Sequence, residues 1–522
     1  MEQTDSTAAP EEAPSKWATG AALVFYIAVM KLLLHLIVQN YGYFRDELYF
    51  LACANHLAWG YMDQPPFSVL MTWLSLVLFG PSLVGIHVLP ALAGAVQVLL
   101  AGMLVREFGG KSYAQVMAAI ATAVAPIYLA MDAYLSMNCF EPVLWTLMAY
   151  LLVRIINTGN QKLWLWFGVV AGIGLENKYG IAVFAFSIVV GVLLTTERKA
   201  LLKAWIWIGG AIAALIFLPN LLWQYQHGFP FLAMQKQFLQ GKNVILTPIE
   251  FLKQQVLLLN PAACPLWIAG LCFFFTKAGK KWRALGWTFL VALLVFLSQK
   301  GTKNYFLSPA YIMLFASGAV LLEQAIGSLE KERRSLMWLR AACIIIVLAG
   351  GAALAPLSIC ILSPQQFIAY MDFIRIKPPM TEHHKQSPLP QQYADMFGWP
   401  ELTDKVAVYY NSLSDEDKAK TAIFGANYGD CGAIDFFGPK YGLPRSIGNH
   451  MNYWVWGPRG YTGESMIILG GTEEDLSRKF QSVVKVAETY HPYAMPYENK
   501  SIWHCRGGKL DLKKEWNSLR SY

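Results

Sequence analysis

Charge is scarce in this chain. Asp, Glu, Lys and Arg supply only 15% of its 522 residues, against roughly 25% in an ordinary soluble domain. The eight cysteines form no C-x-x-C pair and no zinc-ligand spacing, which removes the common structural zinc modules. Cys53, Cys264, Cys272 and Cys343 lie in or beside apolar stretches and read as small packing residues. Glycines recur across 425–438 without a Gly-Lys-Ser/Thr, so a Walker loop is excluded. His56, His87 and His227 are isolated, with no H-E-x-x-H spacing, so that type of zinc protease is excluded too. Residues 1–16 are polar and acidic and lack the basic start and cleavage site of a secretory signal. They are expected to form a disordered cytoplasmic N-terminus before a retained first span.

What the chain has in quantity is apolar sequence, 55% of all residues, with a mean hydropathy of +0.37. A helix crosses a bilayer with roughly 20 mostly apolar residues, and the chain offers many such runs. The expected fold is an all-α polytopic membrane protein. About eleven spans are expected, at 17–39, 83–105, 113–131, 142–156, 163–176, 180–196, 204–222, 261–276, 284–299, 305–323 and 341–362. The net charge of +8 does not point to nucleic acid. Its basic residues sit in short clusters between apolar runs, the usual orientation signal of membrane proteins. Those clusters are Arg106/Lys111, Arg154/Lys162, Arg198/Lys199/Lys203, Lys277/Lys280/Lys281/Arg283 and Lys331/Arg333/Arg334/Arg340. With eleven spans and a cytoplasmic start, all five fall on the cytoplasmic side.

The same alternation puts 40–82, 132–141, 223–260 and the tail from Ser363 outside. The apolar stretch 67–80 is short for a crossing and suits a helix lying along the interface. The transmembrane domain is therefore 17–362. The tail, 363–522, turns to Trp, Tyr, Pro, Gly and charged residues. Strands are expected at 421–428, 465–470, 482–489 and 501–506, and a helix at 472–481, making a small external α/β domain. An oxidising compartment would permit a disulfide between its Cys431 and Cys505.

Acidic residues beside a membrane core are expensive unless paired, bound to a cation or used in chemistry. The first loop holds Asp46 and Glu47, then the turn Asp63-Gln64-Pro65-Pro66. The second opens at Asp132 and ends at Glu141-Pro142. Asp46 and Glu47 point about 100° apart on one helix, so one can face a site while the other supports the local fold. A carboxylate there could take a proton from an acceptor hydroxyl or hold a divalent cation. Pro65 holds Gln64 extended, and Pro66 stiffens the turn that presents Asp63. The bland reading is a set of helix caps in an acidic loop. Five carboxylates in two loops on one side favour a site. Cations for an anionic substrate are Arg45, Lys178, Lys300 and Lys303, against the plain reading of snorkelling at the interface. His227 could contribute a lone ligand from the third external segment.

The order of these features is familiar. A first span is followed by Phe-Arg-Asp-Glu-Leu-Tyr at 44–49, Asp-Gln-Pro-Pro at 63–66 and an apolar helix. Then come Arg-Glu-Phe-Gly-Gly at 106–110, Glu-Pro at 141–142 and Lys-Gly-Thr-Lys-Asn-Tyr-Phe-Leu-Ser-Pro at 300–309. This resembles bacterial members of glycosyltransferase family 39, the protein mannosyltransferase-like group with the lipid A aminoarabinose and galacturonic acid transferases. The resemblance covers roughly 17–362 and nothing specific in the tail. It implies a C-type glycosyltransferase, moving a sugar with inversion from a polyprenyl-phosphate carrier to a lipid, glycan or protein acceptor. The setting implied is the external, periplasmic face of a bacterial inner membrane, as in lipopolysaccharide modification. Asp46, Glu47 and Glu141 match the family's acidic catalytic positions. Arg45, Asp63, Gln64, Lys178, Lys303 and Tyr305 become the candidate contacts to substrate and carrier phosphate. Gln64 departs from the family, which has Lys there, and no counterpart to its metal-binding His stands out. A divalent metal, held by Asp63 with His227, stays an open expectation; no other cofactor is expected.

Two other classes compete. A secondary transporter would show internal repeats and broken helices near the membrane centre, whereas this chain shows no repeat and gathers its charges at span ends. A non-catalytic membrane component of surface-glycan assembly would have a similar composition.

Overall fold

The computed structural model describes residues 19–241, 245–375, 387–509 and 511–522. The expectation for 1–16 lies outside the described residues. All eleven apolar runs form helix, because an apolar segment in lipid must satisfy its backbone hydrogen bonds internally. Among the described residues, seven helices are long and apolar enough on their own to cross a membrane, and two bent pairs raise the count to as many as nine, fewer than the eleven spans expected. The chain is a multi-pass membrane protein. The runs at 113–131 and 163–176 form shorter helices, Ser112–Ala123 with Pro126–Met131, and Leu163–Asn177. One bend, 97° between Pro248–Leu258 and Pro261–Phe273, adds a helix inside the segment expected as loop. The apolar stretch at 67–80 is the helix Phe67–Phe79, ended by Gly80 at φ 78°.

Helices cross closely where glycine removes a side chain, as at Gly168, whose missing Cβ leaves room for Gly209. The basic clusters meet at one end of the bundle. Arg154 pairs with Glu107 at 3.2 Å, and the Trp282 indole donates to Asn157 at 2.9 Å. The Lys111 amide donates to Glu323 at 2.7 Å, and the Arg340 guanidinium lies 5.2 Å from the Tyr113 ring centre. Gly191 against Ala284 brings the helix Ile181–Leu193 down to the same end. The acidic loops lie at the other.

The tail carries one five-stranded sheet in the order β2-β1-β3-β5-β4. Its strands are β1 Thr421–Gly425, β2 Ile447–Gly448, β3 Ser465–Leu469, β4 Phe480–Glu488 and β5 Ser501–Gly508. β1 is parallel to β2 and β3, while β5 is antiparallel to β3 and β4. The strand expected to reach 428 stops at Gly425. Asn427 there accepts from the Asp430 amide at 2.9 Å and starts the helix Tyr428–Phe437. No disulfide joins Cys431 to Cys505: both are free and buried, one in that helix and the other in β5.

Candidate active site

Asp46 and Glu47 open the helix Arg45–Ala54, where carboxylates favour the dipole. Their roles divide as their angular separation requires. Glu47 is fully buried. It accepts from the Phe44 amide at 2.9 Å and from the Leu135 amide at 2.7 Å, and lies 2.7 Å from His87 Nε2. It ties the first loop to the second rather than facing an acceptor, a supporting place instead of the catalytic one expected from sequence. The Asp46 side chain is 39% exposed. Its Oδ1 accepts from the Tyr428 hydroxyl at 2.7 Å and lies 3.7 Å from Arg45 Nε.

Glu141, buried near the start of the helix Met137–Thr158, receives the Lys178 ammonium at 2.7 Å. Lys178 also donates to Asn138 at 2.9 Å and lies 5.2 Å and 4.8 Å from the ring centres of Tyr305 and Phe306. The second loop, the 178 link and the 303–306 turn are thus one cluster. Lys303 sits on that turn, its carbonyl accepting from the Phe306 amide at 3.2 Å. Tyr134 and Leu135 join the second loop to the first. The Tyr134 ring packs on Phe44 at 5.0 Å, and burial, then Tyr305, Asp46 and Glu47, push its hydroxyl ionisation up.

Asp63 accepts from the Tyr49 hydroxyl at 2.8 Å. Tyr179, next to Lys178, donates its hydroxyl to Asn220 at 2.8 Å. Gln64 is fully buried, and neither of its amide atoms has a hydrogen-bond partner among the described residues.

Three expected assignments change. Arg45 is not free for a phosphate: it is held by Asp395 at 3.5 Å, by Asp46 and by the Tyr497 hydroxyl at 3.0 Å. Asp132 leaves the acidic set. It pairs with the buried Lys31 at 2.7 Å and accepts from Gln97 at 2.9 Å. His227 is exposed, stacks on Trp223 at 3.9 Å and bonds that residue's carbonyl through Nδ1 at 2.8 Å. Among the described residues no three His, Cys, Asp or Glu side chains come together to hold a metal. Asp63 and His227 therefore do not belong to a three-ligand metal centre among the described residues.

The tail supplies residues that the sequence did not single out. Tyr428 lies 4.8 Å from the Tyr49 ring and 5.0 Å from His450, 13° from parallel to it. Asp395, buried, accepts from Tyr497 at 3.0 Å; burial pushes its carboxyl up to about 6 despite Arg45. Asp430 is also pushed to about 6 by burial, with Lys500 at 2.6 Å pulling it back. Met62 donates its amide to Asn452 at 2.9 Å, and His56 stacks on Trp456 at 4.4 Å. The only advance signal was the run of Tyr and Trp in a polar tail.

Residues 63–223 match the family model described as dolichyl-phosphate-mannose-protein mannosyltransferase. No curated protein matches the chain in sequence. Among solved structures, the fold is similar to ArnT from Cupriavidus metallidurans bound to undecaprenyl phosphate. The TM-score is 0.62 at 12% identity, covering 94% of this chain and 98% of that one. It is also similar to the oligosaccharyltransferase of Archaeoglobus fulgidus in complex with Zn and sulfate. Here the TM-score is 0.51 at 14% identity, covering 81% of this chain and 62% of that one. The archaeal oligosaccharyltransferase AglB from the same organism, in complex with an inhibitory peptide and a dolichol-phosphate, gives 0.51 at 12%, covering 80% and 63%. At these identities the likeness establishes the fold, a bundle of apolar helices with a small C-terminal sheet domain, as in that ArnT structure.

Proposed function

We propose that this chain is an integral-membrane glycosyltransferase. It takes a sugar from a polyprenyl-phosphate carrier and transfers it, with inversion, to a lipid, glycan or protein acceptor. The observation that carries this is the chain of contacts joining the two acidic loops to the 303–306 turn: Tyr134 on Phe44, Leu135 on Glu47, Glu141 on Lys178 and Lys178 over Tyr305, with Asp46 39% exposed at the first loop. A polyprenyl phosphate is an apolar tail with an anionic head, so its enzyme needs a polar site at the edge of apolar helices. The family match over 63–223 and the shared fold favour the same class.

In this reading Asp46 is the general base. It takes the proton of the acceptor hydroxyl or amine as that atom attacks the anomeric carbon. The bond from that carbon to the carrier phosphate oxygen breaks, and the phosphate leaves with the electron pair. Lys178, oriented by Glu141, and Lys303 face the leaving phosphate and offset its charge. Asp63 lines the sugar side, the buried Gln64 supports the turn that presents it, and Glu47 keeps the first and second loops in register. Residues 17–362 form the transferase domain and 363–522 a domain on the same, periplasmic face of a bacterial inner membrane. The basic clusters at the opposite end favour that orientation.

The test is lipid extraction from cells lacking the protein. A carrier-linked sugar should accumulate, clear when the wild-type chain is restored, and persist with Asp46→Asn expressed at the same level. Clearance by Asp46→Asn would remove the general-base assignment. An unchanged lipid profile in the deletion would remove the carrier-linked donor.

A further inference from the structure

The C-terminal domain reaches the carboxylate of Asp46 through Tyr428. Tyr428 is the first residue of the helix Tyr428–Phe437, which begins right after β1. Its hydroxyl donates to Asp46 Oδ1 at 2.7 Å. Arg45 Nε stands 3.7 Å from the same oxygen. Both contacts to Asp46 fall on Oδ1. A side chain 39% exposed would otherwise rotate about its terminal torsion, which is broad for a carboxylate.

Tyr428 is itself over-determined. Its ring is packed between His450 and Tyr49, and its amide donates to His450 Nδ1 at 3.2 Å. The Arg45 guanidinium lies 5.4 Å from its ring centre. Arg45 is anchored by Asp395 and Tyr497, both from the tail. Close backbone approach fixes the whole helix: a Cβ on Gly432 would come within 2.9 Å of Leu48, two residues after Asp46. The tail is thus seated on the helix that carries Asp46, and its one hydroxyl on that carboxylate is held from every side.

We infer that Tyr428 is a positioning residue for the transfer reaction, through which the C-terminal domain fixes the rotamer of the catalytic carboxylate. The inference rests on the proposed role of Asp46. Its consequence is that turnover depends on the Tyr428 hydrogen bond, while donor and acceptor binding do not. Preorganisation of this kind acts on the rate of the chemical step rather than on affinity.

The experiment uses the full-length chain and, as probe, the labelled carrier-linked sugar recovered from membranes lacking the protein. Tyr428→Phe keeps the ring and its packing and removes only the hydroxyl. Its kcat is expected to fall at least tenfold with KM within twofold of wild type, and with unchanged resistance of the tail to protease. In an Asp46→Asn background the same change should cause no further loss. Wild-type kcat in Tyr428→Phe, beside an inactive Asp46→Asn, would overturn the positioning role alone. A fall accompanied by protease sensitivity of the tail would overturn it in favour of a structural one. Full activity of Asp46→Asn, or no recoverable carrier-linked sugar, would take down the underlying reading instead.

Discussion

Asp46 and Glu47 show how adjacent, identical-looking charges are separated by burial. One is 39% exposed, and the other is fully buried with both oxygens engaged. The sequence carries the angle between them but not which one turns inward, because that depends on the Leu135 amide from a loop 88 residues away. Lys31 was legible in principle. A lone Lys in an apolar run must find a partner, yet nothing in the sequence says that the partner is Asp132. The pair is buried, with side-chain exposures of 1% and 0% at 2.7 Å. Removing one partner of such a pair costs about 3–5 kcal/mol. Lys31→Met alone should lower thermal stability in detergent sharply, whereas Lys31→Met with Asp132→Leu should recover most of the loss. Equal destabilisation by the single and double variants would contradict the account of Asp132 as a structural partner.

At the scale of elements, all eleven expected apolar runs proved helical among the described residues, since lipid leaves the backbone no alternative. The helices Pro230–Gly241 and Pro248–Leu258 and the tail helix Tyr428–Phe437 escaped notice. Their sequences mix polar and apolar residues, and their helicity is settled by caps and packing. The seating of the tail on Arg45–Ala54 has a pH signature. Asp395 titrates at about 6 in the folded protein, against its ordinary 3.8. The folded state therefore holds more protons between those values, and the seat strengthens as pH falls from 7 toward 4. The shift of about two units corresponds to roughly 3 kcal/mol, and Asp430 acts in the same direction. Protease cleavage of the tail should be slower at pH 5 than at pH 7, and that difference should shrink in Asp395→Asn. Faster cleavage at pH 5 would contradict the sign.

For the whole molecule, the basic clusters at one end and the acidic loops at the other were readable from the spacing of runs. The contact between the tail and the first loop was not, because residues 46 and 428 meet only through tertiary structure. Orientation is testable in intact cells. Cys272 is the one cysteine with an exposed side chain, so Glu473→Cys in a Cys272→Ser background gives a clean reporter on the exposed tail helix. It should react with a membrane-impermeant thiol reagent before lysis, and labelling only after lysis would reverse the topology. The most direct measurement of the central claim is photo-crosslinking with a polyprenyl phosphate bearing a benzophenone near its head, mapped by peptide mass spectrometry. The account predicts adducts on three separate segments at once, around residues 46–63, 134–141 and 303–306. Adducts confined to the outer faces of the spanning helices would contradict it.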